Sequence, residues 1–490
     1  MGEISISRMI TAAADADPDR AAVTCEDRTI SRAELERRTN RLARAYGAFG
    51  VGPGDLVTIA LPNSIEFYEA TVATWKLGAI PQPVSYRLPD RERQTIVELA
   101  DAALVVGADP AAHPGRTVIA AGFEPDPSLA DSVLPDRVAP SWKAPTSGGS
   151  TGRPKLILAG EPGAFDPENP MFLMVRRDGC HVVPGPLYHN APFSASMMGL
   201  IHGNHIAVLP RFDAEATLAA IDRHRPDFLL VVPTMMLRMW RLPEDVKARY
   251  DLTSLAVVWH MAAPCPPWLK EAWIDWIGGE RLMELYAGTE AQAVTVIRGD
   301  EWLAHRGSVG RCLSGEMKVV DPETGADLPP GEMGEVYMRW KPGGRATYRY
   351  VGADARTLPG GWESLGDMGY LDADGYLFLG DRRSDMILSG GANIYPAEVE
   401  SVLMEHPRVV SCAVIGLPDD DLGSIVHAVV QASAPIDADD LRAFLGERLV
   451  RYKVPRSFEF VDWQVRDDAG KVRRTALRDE RVSTAGDAVS

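Results

Sequence analysis

The 490-residue chain is poor in cysteine, has no apolar run near membrane length and carries no excess of positive charge. Its five cysteines, Cys25, Cys180, Cys265, Cys312 and Cys412, are scattered without a C-x-x-C pair. That spacing points to neither a zinc site nor a disulfide framework and leaves reduced, mostly buried thiols. The missing apolar run excludes a membrane span, and the polar, acidic, alanine-rich stretch from Met1 to Asp17 does not read as a signal peptide. A cytoplasmic location is expected. A net charge of −17 argues against nucleic acid as a partner, so any phosphate ligand must be met by local positive charge.

What is present is the composition of a globular protein, 46% apolar and 24% charged, in a chain long enough to need two or more cores. Ser31 and Glu34 form a capping box that opens a helix with Leu35, Leu42 and Tyr46 on one face. A strand at Leu56 to Leu61, a helix from Ser64 to Leu77 and a strand at Ala79 to Val84 read as a β-α-β crossover. The alternation continues with a helix near Arg91 to Ala100 and a strand at Ala103 to Val106. It resumes with a helix around Ala214 to Arg223 and strands at Phe228 to Val232 and Ala256 to Val258, giving α/β architecture with doubly wound sheets. From Glu316 onward the texture changes to hairpins, Glu316 to Val320 with Glu335 to Trp340 and Leu371 with Tyr376 to Leu379, which predict an antiparallel β subdomain. After Arg382 a small α+β unit follows, with helices at Pro396 to Met404 and Asp439 to Leu449 and strands at Val409 to Ile415 and Ile425 to Gln431. The end, from Asp479 to Ser490, is small and polar and is expected to fray.

One stretch concentrates chemistry. Thr146-Ser147-Gly148-Gly149-Ser150-Thr151-Gly152-Arg153-Pro154-Lys155 packs three glycines, four hydroxyls and a lysine into ten positions. Glycines allow successive N–H groups to turn inward, hydroxyls add donors, and Arg153 or Lys155 supplies charge for a polyphosphate. No Gly-Lys-Ser/Thr triplet follows at Walker spacing, and no dinucleotide fingerprint is present.

This loop resembles the signature of the adenylate-forming superfamily, which includes acyl-CoA synthetases, firefly luciferase and the adenylation domains of peptide synthetases. Gly149, Ser150, Thr151, Gly152, Pro154 and Lys155 match its pattern, while Gly148 stands where a serine is usual. Five further blocks in the family's order carry the likeness: Tyr286-Ala287-Gly288-Thr289-Glu290, Gly366-Asp367, Asp381 through Glu400, Pro455 through Lys471, and Pro186-Leu187-Tyr188-His189-Asn190. Leu365 replaces the usual threonine before Gly366, and Ser384 falls where the family places its pivot, commonly Asp or Lys.

The resemblance implies a large N-terminal domain (1–382) and a mobile C-terminal domain (383–490) hinged near Ser384. It implies ATP, Mg²⁺ and coenzyme A as cofactors. The loop residues Ser147, Gly148, Gly149, Ser150, Thr151, Gly152 and Lys155 would hold the phosphates and Tyr286 would lie against adenine. Thr289 would touch the α-phosphate, Glu290 would help hold the metal, and Asp367 and Arg382 would bind the ribose. Gly390 and Gly391 would let the pantetheine arm pass. Lys471 would bridge the substrate carboxylate and the α-phosphate, and His189 would gate the acyl pocket or steady the carboxylate.

The implied activity is an acid:CoA ligase that adenylates a small-molecule carboxylic acid and passes the acyl group to CoA. A homodimer is compatible with this. Segments lining the acyl pocket in relatives correspond to Pro192-Phe193, Val232-Pro233-Thr234-Met235-Met236 and His260-Met261-Ala262-Ala263, whose apolar character points to a bulky apolar or aromatic acid. The alternatives are a member that hands its adenylate to a carrier protein or an amine, or that adenylates nitrite, and a silent homologue that binds without turnover.

Overall fold

A computed structural model describes residues 2–148, 154–167, 173–341, 346–467 and 470–487. A fourteen-stranded sheet dominates the larger part of the chain. Its parallel half comprises Ala21–Cys25, His205–Val208, Cys180–Val183, Phe228–Val231, Val257–Met261 and Leu282–Ala287. Val294–Arg298 then runs antiparallel to Leu282–Ala287. From there the sheet continues through Ser308–Ser314, Tyr376–Arg382, Trp362–Leu371, Gly334–Arg339 and Glu316–Val320. The expected antiparallel region is thus the edge-to-edge continuation of the parallel sheet.

A second, four-stranded parallel sheet is made of Ile80–Pro83, Leu56–Ile59, Leu104–Val106 and Val118–Ile119. The helix Ile65–Lys76 lies in the core that joins the two layers, with Phe67, Tyr68 and Trp75 at 2% exposure or less. A helix apolar on most sides can only be stable buried in this way. Its two deep charges are both answered, Lys76 by Glu36 at 2.8 Å and Glu69 by Arg38. Ser64 caps this helix by accepting the Phe67 N–H, and Ser31 caps the Arg32–Ala48 helix by accepting the Glu34 N–H, as its capping box requires.

The C-terminal unit stacks the helix Pro396–Glu405 on a three-stranded sheet of Val409–Asp419, Gly423–Ala432 and Ser457–Val461. Its centre is a buried carboxylate: Glu400 takes both Arg466 and Arg474 and accepts the Val414 N–H at 2.8 Å. The unit is seated on the larger part through Arg241, whose guanidinium donates to the carbonyls of Val409 at 2.6 Å and Met404 at 3.0 Å.

Two expectations need correcting here. The stretch from Asp479 onward does not fray at its start, because Arg474–Asp487 is a helix that buries Leu477 and places Arg481 in a bidentate pair with Glu459 (2.6 and 2.9 Å). Composition hid this, since the helix is fastened by few residues: Leu477, the Arg481–Glu459 fork and Arg474 on Glu400. The strand expected to end at Val258 runs from Val257 to Met261. The three added positions matter for the site.

Candidate active site

The carboxyl ends of the parallel strands converge where Leu282–Ala287 passes into Gly288-Thr289-Glu290. Open α/β sheets bind ligands at this edge, beyond the strand ends. Tyr286 is the penultimate residue of its strand and donates its hydroxyl to Asp367 Oδ2 at 2.7 Å. Arg382, on the neighbouring antiparallel strand, donates to the other carboxylate oxygen, Oδ1, at 3.3 Å. Burial, then the adjacent Asp367, push the Tyr286 phenol well above its ordinary range, so it remains a donor. Tyr286, Asp367 and Arg382, far apart in sequence, therefore form one hydrogen-bonded row. Leu365 fills the space over Gly288: a Cβ there would lie 2.3 Å from its Cδ1, so this leucine and this glycine are a matched pair.

Glu290 is 5% exposed and pairs with Lys155 Nζ at 3.2 Å. The Tyr350 hydroxyl donates to the same Glu290 oxygen, and the Lys155 ammonium sits 3.9 Å from the Tyr350 ring centre. Lys155 reaches this point because Pro154–Ala159 is a strand, sandwiched between Thr146–Gly148 and Tyr348–Val351. Lys155 and Ser147 are partners in that hairpin register, so they belong to a strand pair where a loop was expected. Gly149, Ser150, Thr151 and Gly152 lie outside the described residues, and Gly148 is the last residue of its strand.

Lys471 comes from the C-terminal unit, yet it arrives at this cleft. Its neighbour Gly470 presses against the larger part so closely that a Cβ would lie 3.3 Å from Thr234 and 3.8 Å from the Ala263 side chain. Lys471 is exposed, while the protein around its ammonium desolvates it and lowers its pKa. Asp467 and Glu290 oppose that shift and Arg382 adds to it, so Lys471 shares an electrostatic neighbourhood with both groups of the larger part. Its N–H is anchored on Asp467 Oδ1 at 2.8 Å.

Gly390 and Gly391 form the turn between the short strands Ile387–Ser389 and Ala392–Ile394, both at positive φ (+56° and +81°), a conformation that favours glycine. Gly390 is tied to Leu422 of the C-terminal unit by its N–H (2.9 Å). That turn is held on its own unit while Lys471 occupies the cleft. Ser384 follows the strand Tyr376–Arg382 and is exposed. His189 is the N-cap residue of the helix Asn190–Ile201, with its ring 4.7 Å from that of Tyr188.

The expected acyl-pocket segments divide. Thr234 and Ala263 face Gly470 at the cleft, and Met261 lies on the sheet face beneath the Asn190–Ile201 helix. Phe193 points the other way, into the core with Trp75 and Trp142. Val232, Met235 and Met236 pack behind the sheet with Trp273, and His260 also faces backward, toward Lys270 and Glu284. Strand alternation decides this, because His260 lies between Trp259 and Met261 and must point oppositely. The apolar face under the helix is built instead from Ala191, Ala195, Leu230, Trp259, Met261 and Leu285. Period-two reading of the strands Phe228–Val231 and Val257–Met261 carries the signal for Leu230 and Trp259.

A divalent cation can be judged against these donors. Among the described residues no group of three His, Cys, Asp or Glu could hold a metal by itself. Glu290 offers a single buried carboxylate beside the Lys155 ammonium, which suits magnesium bound mainly through ligand phosphate oxygens.

Residues 10–344 match the AMP-binding enzyme family, and residues 398–471 match the AMP-binding enzyme C-terminal domain. The chain belongs to that family. This AMP-binding enzyme is 32% identical to a feruloyl-CoA synthase of Amycolatopsis sp over 483 residues, covering 94% of this chain and 96% of the relative. It is 30% identical to the 2-succinylbenzoate–CoA ligase of Bacillus licheniformis over 481 residues, covering 95% and 98%. The solved structure of o-succinylbenzoate coenzyme A synthetase from Bacillus subtilis, in complex with ATP and magnesium ion, superposes with a TM-score of 0.78 at 26% identity, covering 98% of this chain and 100% of that one. Among the described residues no helix of the AMP-binding enzyme is long and apolar enough to cross a membrane.

Proposed function

We propose that the chain is an ATP-dependent acid:CoA ligase that activates a bulky apolar or aromatic carboxylic acid through an acyl-adenylate. The observation that carries this reading is the placement of Lys471, brought from a separate unit into the neighbourhood of Glu290 and Arg382. Two anions, a carboxylate and an α-phosphate, must approach for adenylation, and a cation placed between them offsets their repulsion.

Asp367 and Arg382 would take the ribose, with Tyr286 orienting the aspartate and offering its ring to adenine. Lys155 would meet the phosphates, with the glycine loop beside it, and Thr289 the α-phosphate. Glu290 would hold magnesium, which when bound neutralises phosphate charge and favours pyrophosphate departure. The acid would lie along the face of Ala191, Ala195, Leu230, Trp259, Met261 and Leu285, its carboxylate toward Ala263 and Lys471 and its entrance beside His189. The family of reactions has a second half, in which a thiol attacks the acyl carbon and AMP leaves. For that step the 383–490 unit would turn about Ser384, withdraw Lys471 and present Gly390-Gly391 to the pantetheine arm. A cytoplasmic setting accords with the nucleotide and CoA this requires.

The test is a single-turnover assay with ATP, Mg²⁺ and a panel of benzoates, cinnamates and fatty acids, with and without CoA. Acyl-CoA and AMP formed together are expected from at least one aromatic or bulky acid. AMP without thioester would assign another acceptor, and turnover of acetate alone would overturn the pocket.

A further inference from the structure

The sheet face that we assign to the acyl chain carries one polar residue out of pattern. Because Phe228 pairs with His181 and Leu230 with Trp259, these side chains share a face with Met261 and Leu285. His181 is thus an imidazole in an otherwise apolar row. It is 1% exposed, and neither ring nitrogen has a hydrogen-bond partner. A buried polar group left unsatisfied is costly, and such groups in folded proteins call for a partner.

Space for a partner is built in. His181 lines a small cavity between the sheet and the Asn190–Ile201 helix, with room for about one water-sized group. Pro192 and Ala195 of the helix and Phe228 and Leu230 of the sheet close its sides. Ala195, Phe228 and Leu230 also belong to the apolar face, so the cavity adjoins that face. Two glycines fit this arrangement, Gly199 by making room for the ring and Gly185 by lining the cavity. Gly199 lies inside the helix, where glycine is disfavoured, and any Cβ there would come within 2.6 Å of the imidazole. Gly185 has the same relation to Pro192, at 2.9 Å. The ring is stacked on Phe228, 4.2 Å between centres and 13° from parallel, which fixes its plane.

We propose that His181 is a specificity-determining residue at the inner end of the acyl pocket, hydrogen-bonding a neutral oxygen, hydroxyl or carbonyl, on the end of the substrate acid remote from its carboxylate. This rests on the assignment of the acyl pocket given above. Burial, with His202 nearby, lowers the imidazole pKa to about 3, so the ring is neutral and offers one donor and one acceptor. It therefore matches a hydroxyl or a carbonyl and gives no charge to attract a second carboxylate. A site that hydrogen-bonds a substrate oxygen also rejects the analogue lacking it, because its own polar atoms are then left unpaired.

The experiment compares kcat/KM for adenylation, by ATP–pyrophosphate exchange, across matched acids with and without the remote oxygen: cinnamate and 4-hydroxycinnamate, octanoate and 8-hydroxyoctanoate. The parent chain is expected to favour the oxygenated member of at least one pair by about tenfold or more, the size of one buried hydrogen bond. His181→Leu should abolish that preference by lowering the oxygenated member toward its unsubstituted partner, and His181→Gln should restore part of it. A purely structural histidine would lower both members of a pair together. Equal rates within every pair in the parent chain would overturn the inference without reference to any variant, as would a preference untouched by His181→Leu. Absence of exchange with every acid would instead overturn the ligase reading on which the inference stands.

Discussion

Lys155 and Glu290 form an ion pair 3.2 Å apart, joining the Pro154–Ala159 strand to the segment that follows the Leu282–Ala287 strand. Their side chains are 18% and 6% exposed, so the pair is largely removed from water. Each is expected to serve the same nucleotide, one through phosphate and one through metal. Binding of Mg-ATP would therefore exchange this pair for two ligand contacts. Chelation of magnesium by EDTA is expected to abolish AMP formation. Glu290→Gln should raise the magnesium concentration for half-maximal rate by about tenfold, the worth of one weakened charged contact. A magnesium titration of pyrophosphate release reads this, and an unchanged midpoint would remove Glu290 from the metal site.

Lys471→Ala is expected to lower adenylation by about 10²–10³-fold, the usual loss when one electrostatic stabiliser of a transition state is removed. Conversion of a supplied acyl-adenylate to thioester should stay within about threefold, because Lys471 would be withdrawn for that step. In the proposed role the protonated ammonium would be the active form, and its pKa lies below the ordinary lysine value. Adenylation should accordingly decline on the alkaline side as pH rises through that lowered pKa. Lys471→Arg, permanently charged, should flatten the alkaline limb even if its maximum rate is lower.

Arg241 donates to the carbonyls of Val409 and Met404 and so holds the C-terminal unit in the arrangement that delivers Lys471. A turn about Ser384 would have to break these bonds. Arg241→Ala should slow adenylate formation by about tenfold, from the loss of its charged hydrogen bonds, and leave thioester formation from supplied adenylate equal or faster. Separate assays of the two half-reactions distinguish this from a general loss of folding, which would depress both.

Glu400 is 4% exposed between Arg466 and Arg474. Burial alone would raise its pKa, but the two guanidiniums hold the carboxyl below the usual glutamate range. Its contribution to stability is complete above the unfolded pKa of about 4.3 and is lost as pH falls through the lower folded value. Glu400→Gln strands two arginines and should destabilise the C-terminal unit by about 3–5 kcal/mol, seen as an earlier thermal transition. The variant should also lose the acid-dependent part of unfolding below about pH 4, because the titrating group has been removed.

The sequence made the architecture legible where local signals were strong. Ser31 with Glu34 and Ser64 before an apolar run gave helix starts that the capping bonds of Ser31 and Ser64 match. The blocks around Tyr286, Asp367, Arg382 and Lys471 could be read because each is a short, chemically specific pattern. The lining of the acyl face could not be read from segments alone. Phe193, Met235 and Met236 stand in the expected stretches, but helix phase turns them into the cores on either side. His181 escaped notice because a single histidine in a strand has no local signature; only its pairing with Phe228 shows which face it shares.

Sequence by itself determined the family, the alternation of strands and helices, and the identities of the groups available for chemistry, since these depend on residue type and short spacing. Tertiary structure decided which of those groups meet. It set Lys155 against Glu290, 135 residues apart, and carried Lys471 across from another unit to the same cleft. It also turned His181 toward a cavity and His260 away from it. Strand register and the seating of one unit on another fix these outcomes, and both are long-range consequences of packing that no window of the chain contains.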